Sequence, residues 1–107
     1  MSVDLSHANL SGANLSGKNI SHVNNLAGLH FFKADLSNAD LSGSNIVISD
    51  LRFTDLSNSN LENADLSGAH LSGANLSGAN LSGANLSGAV FDDNTILNCF
   101  CHTICVN

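Results

Sequence analysis

A period of five runs through this chain. From Leu66 to Val90 the sequence reads LSGAH LSGAN LSGAN LSGAN LSGAV, five near-copies without a spacer. Five matches neither the 3.6-residue period of a helix nor the 2.0-residue period of a strand. A regularity of this kind belongs to a repeat architecture, in which each unit buries its apolar side only against its neighbours.

The frame extends far beyond the perfect copies. Taking the large apolar residue of each repeat as its centre, centres fall at Leu5, Leu10, Leu15 and Ile20. One extra residue follows, and the frame resumes at Leu26 and holds to Ile96, giving 19 centres, of which 14 are Leu. Two residues before each centre stands a small side chain, usually Ala. Asn or Asp usually stands directly before the centre, and Ser, then often Gly, follow it. A large and a small apolar residue two apart point the same way from an extended backbone. Asn, Asp, Ser and Gly favour turns. Each repeat therefore predicts one short inward-facing stretch and one bend. A chain of such units has to coil and pair each coil with the next.

The motif A(N/D)LSG, matched over residues 3–97, resembles the pentapeptide-repeat family. That resemblance implies an all-β fold, a right-handed quadrilateral β-helix with four repeats and 20 residues per coil. The whole of 1–107 then forms one solenoid domain of about 4.75 coils, with 97–107 a degenerate last coil. The extra residue within Ser21–Asn25 predicts a bulge. Lys18 falls on an inward position of the first coil, where its stem can reach out through the open end. In the tail, Cys99, Cys101, Ile104 and Val106 fall on inward positions.

The four-repeat register stacks residues 20 apart. On the side centred on Leu10, Phe31, Leu51, Leu71 and Phe91, one outward column holds Asn9, His30, Asp50, His70 and Val90. The neighbouring columns bring Phe32 next to Arg52 and Lys33 next to Phe53. Two cation–π contacts, Phe32 with Arg52 and Lys33 with Phe53, are expected. Val47 and Ile48 replace Ser and Gly at the corner leading into this face. Phe32, Lys33, Val47, Ile48, Asp50, Arg52 and Phe53 thus form an apolar cluster rimmed by charge, the composition of a partner-binding patch. The column His30–Asp50–His70 reads as a polar surface ladder, with a weak transition-metal site as the lesser alternative.

Other chemistry has thinner support. Asp35 over Asp55 pairs carboxylates, but acid–base catalysis needs a cleft that a convex rod does not offer. No catalytic site and no cofactor are expected. Cys99, Cys101, His102 and Cys105 are potential zinc ligands within seven residues. They lack paired C-x₂-C knuckles, so buried thiols are expected in place of a metal. The formal net charge of −6, with three Lys and Arg, argues against direct nucleic-acid binding. Nothing reads as a signal peptide or a membrane span, so the expected location is cytoplasmic.

Phe91, Phe100, Ile104 and Val106 make the C-terminal end apolar. They predict self-association, as a twofold C-terminal dimer or a head-to-tail filament. The leading functional reading is a non-enzymatic protein-interaction or structural scaffold with a protein partner. The alternative comes from the resemblance: some family members imitate B-form DNA and modulate type II topoisomerases such as gyrase. A binder of an ordered surface such as ice lacks the threonine arrays such a face requires.

Overall fold

The structure is a computed structural model that describes residues 7–21, 25–100 and 102–105. Its secondary structure consists of isolated parallel β-bridges, one per repeat. The bridges link residues 20 apart through most of the chain, for example Asp35 with Asp55 and Asp55 with Asn75. Four columns result: Asn9–His30–Asp50–His70–Val90, Asn14–Asp35–Asp55–Asn75–Ile96, Asn19–Asp40–Asn60–Asn80–Phe100 and Asn25–Asn45–Asp65–Asn85. Four five-residue repeats therefore make one coil, and the molecule is elongated, 37 × 25 × 23 Å. Among the described residues no helix is long and apolar enough to cross a membrane.

Each repeat satisfies its backbone in the same way. The amide of centre Leu51 donates to the His70 carbonyl on one side, and that of Asp50 donates to Leu29 O on the other, at 2.8 and 2.9 Å. Between them the chain bends in a turn closed by a bond such as Thr54 N to Leu51 O, 3.1 Å. The third residue of that turn has positive φ, as a type II turn requires. All nine glycines of the chain occupy this position, with φ of 66–73°.

The Asn or Asp before the centre has its own task. Its Oδ1 accepts from the backbone amide two residues on, as in Asp35 with Ser37 and Asn75 with Ser77, at 3.0 and 2.9 Å. The Ser hydroxyl often donates to the same oxygen, at 2.6 Å in Ser37 to Asp35. The pair N/D-L-S is thus a side-chain cap on each bend.

Inside, the centres and the small residues two before them form one continuous core from Leu26 to Ala84, with Cys99 added below. Lys18 occupies an inward register position yet is exposed. In the third coil the small inward residues are hydroxylic: Ser44, Ser49, Thr54 and Ser59, all buried. Ser49 Oγ donates to Leu26 O at 2.9 Å and Thr54 Oγ1 to Phe31 O at 2.7 Å, reaching the previous coil. Ser44 Oγ is buried without a hydrogen-bond partner among the described residues.

The insertion is visible as a change of register. Asn9, Asn14 and Asn19 pair 21 residues ahead, whereas Asn25 pairs 20 ahead. The residues of the expected bulge itself, 22–24, lie outside the described residues. A second slip was not expected. Asn75 pairs with Ile96, 21 residues on, so Ile96 takes the position before the centre and is 48% exposed. Leu97 replaces it against the core. The cause is local: Asp92, Asn94 and Thr95 close an extra turn, with Asn94 N and Thr95 Oγ1 both bonded to Asp92 Oδ1. Thr95 Oγ1 then donates to Leu71 O at 3.0 Å, copying Thr54 one turn late. Phe100 pairs with Asn80, and Cys99 returns to an inward, fully buried position.

Candidate functional site

The turn position with positive φ decides where the surface is unusual. Besides the nine glycines it holds His7, Asn38, Asn58 and Asn63, types that tolerate the left-handed region. It also holds Lys33, Ile48 and Phe53, at φ of 60, 49 and 57°. These three do not suit it. A left-handed conformation costs about 1–2 kcal/mol for an ordinary L-residue, and a β-branched one is the least suited. All three belong to the patch expected from the sequence.

The side chains there are organised around Phe32. Phe53 meets it edge to face, with centroids 5.8 Å apart at 88°. The Arg52 guanidinium lies 5.1 Å from the centre of the Phe32 ring, and Lys33 Nζ lies 5.4 Å from it. The first cation–π contact is the expected one; the second differs. Lys33 turns to the Phe32 ring beside it in sequence, because Phe53 leans away over the next coil. There it covers Gly73, where an added Cβ would stand 2.5 Å from the Phe53 ring. Ile48 leans likewise over Gly68, 2.9 Å from where a Cβ would sit. The bare glycine of one coil is the seat for the large turn residue of the coil before.

Arg52 is held from two directions. Its Nε and Nη2 fork onto Asp50 Oδ1 and Oδ2, both at 2.8 Å. The hydrogen bonds from Arg52 hold the Asp50 carboxyl below the usual carboxylate range. Both Asp50 oxygens therefore serve Arg52, and the two histidines of the column are neighbours without a hydrogen bond to them. His30 and His70 also break the run of Asn and Asp caps in this column, as does Val90. In their place an open pocket of about 320 Å³ forms, lined by His30, Ile48, Asp50, Arg52 and His70.

Ile48 and Phe53 are 60% and 51% exposed, whereas Val47 and Phe32 are half-buried. Position-by-position reading found the patch but assigned His30 and His70 to a separate ladder. The hydroxyls under it, Ser44, Ser49, Thr54 and Ser59, were also missed. Their signal was present, as four successive replacements of the inward Ala.

At the C-terminal end Cys99 is bonded to Cys105, which is half-buried. This corrects the expectation that Cys105 points away from the inward Cys99. It also removes two thiolates from the candidate zinc set of Cys99, Cys101, His102 and Cys105. Among the described residues no group of three His, Cys, Asp or Glu is placed to hold a metal. Cys101 and Val106 lie outside the described residues. Phe100 is 54% exposed, while Phe91 and Ile104 pack partly against the core.

Comparison with known proteins follows the same geometry. A family model for pentapeptide repeats, in eight copies, matches residues 1–24, 25–46 and 49–88. No curated protein matches the chain. Among solved structures, a pentapeptide repeat protein from the Arabidopsis thaliana thylakoid lumen is 26% identical with a TM-score of 0.76, over 80% of this chain and 59% of that one. One from Nostoc PCC 7120 is 45% identical with a TM-score of 0.64, over 85% of this chain and 70% of that one. One from the cyanobacterium Cyanothece 51142 is 39% identical with a TM-score of 0.56, over 86% and 62%. The chain thus spans about three fifths of the length of the first of these.

Proposed function

This chain belongs to the pentapeptide-repeat family, whose fold is the right-handed quadrilateral β-helix, and we propose that it is a non-enzymatic scaffold that binds a protein partner through the Phe32–Phe53 face. One observation carries this reading. The three turn residues worst suited to positive φ, Lys33, Ile48 and Phe53, converge on one patch. Glycine or asparagine would serve the turn better at each place, as they do elsewhere along the rod. A fold that keeps strained, exposed apolar groups at one place and nowhere else among its turns keeps them for contact.

The direct test is the double variant Ile48→Gly, Phe53→Ser. It is expected to fold with undiminished thermal stability and to lose its partner in pull-down or its assembly in light scattering. Retention of every partner and of the same mass overturns the reading.

Self-association at the C-terminal end is the second part of the proposal. The exposure of Ile96 and Phe100 and the partial exposure of Phe91 and Ile104 support it. Light scattering over a concentration series separates a closed dimer, which plateaus, from a head-to-tail filament, which does not. The DNA-mimic alternative has less support, since Lys33 and Arg52 interrupt the acidic surface; a gyrase supercoiling assay discriminates it. The proposed location is the cytoplasm. Thiol trapping in cells tests it, because a Cys99–Cys105 bond that persists there would place the chain in an oxidising compartment.

A further inference from the structure

Resting on the reading of this face as a binding surface, the geometry points to the chemistry of the partner. We infer that it is an acidic peptide segment with apolar residues beside its carboxylates. The carboxylate goes to Arg52 and Lys33, and the apolar neighbour goes against Phe53 and Ile48.

The charge distribution comes first. Nine acids and three Lys or Arg make the chain acidic, yet two of those three bases stand side by side on this face. The one carboxylate among them, Asp50, is already forked by Arg52. Arg52–Asp50 is the one Lys or Arg ion pair among the described residues, so Lys33 has no carboxylate partner among them. The columns beyond the adjacent corners carry acids without such bases: Asp35 and Asp55 in one, Asp40 in the next, Asp65 in the last. A basic partner has several better places to bind. An acidic one has this face.

The second argument is pre-organisation. Arg52 uses Nε and Nη2 on Asp50 and rests its plane on Phe32. Its Nη1 has no partner among the described residues. A long side chain normally loses rotamer freedom on binding; here the fork and the ring have already fixed it. Its free donors open on the pocket that His30 and His70 wall on two sides and Ile48 on a third. Imidazole N–H groups add donors for a carboxylate there. The apolar requirement follows from Ile48 and Phe53, which stand on either side of Arg52 in sequence and leave more than half of their surface open. A nucleic acid fits less well, since two cations on a chain of net charge −6 offer little counterion release.

The test uses the full chain and three labelled 12-residue peptides that alternate Leu with Glu, Gln or Lys, read by fluorescence anisotropy. The Leu/Glu peptide is expected to bind about tenfold tighter than Leu/Gln, and Leu/Lys weakest; one well-placed charge contact of about 1.4 kcal/mol gives that factor. Raising salt to about 0.5 M narrows the gap. Lys33→Gly, which the turn accepts without strain, weakens the Leu/Glu peptide several-fold and leaves Leu/Gln unchanged. Equal affinities, a preference for Leu/Lys, or no binding of any peptide overturns the inference. So does a dT12 oligonucleotide that binds as tightly as Leu/Glu, or competition of the peptide by self-association of the chain. A preference for the wrong sign that vanishes in Ile48→Gly, Phe53→Ser leaves the face a binding surface and removes only its assigned chemistry. Absence of peptide binding together with unchanged assembly and partners in that double variant removes both.

Discussion

The coil from Leu41 to Asn60 and the perfect repeats from Leu66 to Val90 share one backbone plan and use it differently. In the perfect repeats every turn position is Gly and the inward small residue is Ala at 69, 74, 79 and 84. In the coil above, Ile48 and Phe53 occupy turn positions, and Ser44, Ser49, Thr54 and Ser59 replace the Ala. The bridge spacing and the cross-coil hydrogen bonds are the same in both. The β-helix therefore does not need its consensus at every position. Its outward turn positions can be given to other purposes, at a cost in local strain, because the centres and the backbone ladder carry the fold.

If that is right, the largest effects are blind to the difference. Leu51→Ala and Leu76→Ala, both fully buried, should each lose about 3 kcal/mol in urea unfolding. A much smaller loss at Leu51 would mean that the third coil is not carried by its core.

Glycine substitutions should separate the regions. Gly43→Ala meets nothing within 4 Å and carries only the cost of positive φ, about 1 kcal/mol. Gly73→Ala also drives Phe53 off its seat and should lose about 2 kcal/mol. In a Phe53→Gly background the two losses should become equal, which a double-mutant cycle reads directly.

Ser44→Ala restores the repeat's own residue at a buried hydroxyl without a partner. It should raise stability by about 1 kcal/mol, whereas Thr54→Ala, which gives up a bond to Phe31 O, should not.

The smallest effect is in pH dependence. Ser37 and Ser42, through their hydroxyls and then their amides, hold the carboxyls of Asp35 and Asp40 below the ordinary value of 3.8. A lowered folded pKa gives stability that is present above about pH 4 and is lost as pH falls through the folded value. The corresponding caps in the perfect repeats, Asn75 and Asn80, do not titrate. Replacing Asp35 and Asp40 by Asn should therefore flatten the acid limb of thermal stability and leave neutral pH unchanged.

The site was legible only in part. Phe32, Arg52 and Phe53 came together once the register was set, since residues 20 apart are neighbours in any such coil. The partner of Lys33 was not legible. Its choice of Phe32 over Phe53 depends on Phe53 leaning over Gly73, which no column of letters records. Nor was the slip at Asp92–Thr95 legible, because Ile96 and Leu97 are equally apolar and the frame accepted either. The extra turn closed by Asp92 chose Leu97.

The period of five determined by itself that the chain coils, which residues face inward and which share a column. A repeat repeats its physics, so each unit predicts the next. It also located the broken face. Tertiary structure alone decided what the face does with its groups: Asp50 taken by Arg52 and not by the histidines, both cations over one ring, and Cys99 bonded to Cys105. Those outcomes rest on side-chain directions at positive φ and on a local change of register, and neither is periodic.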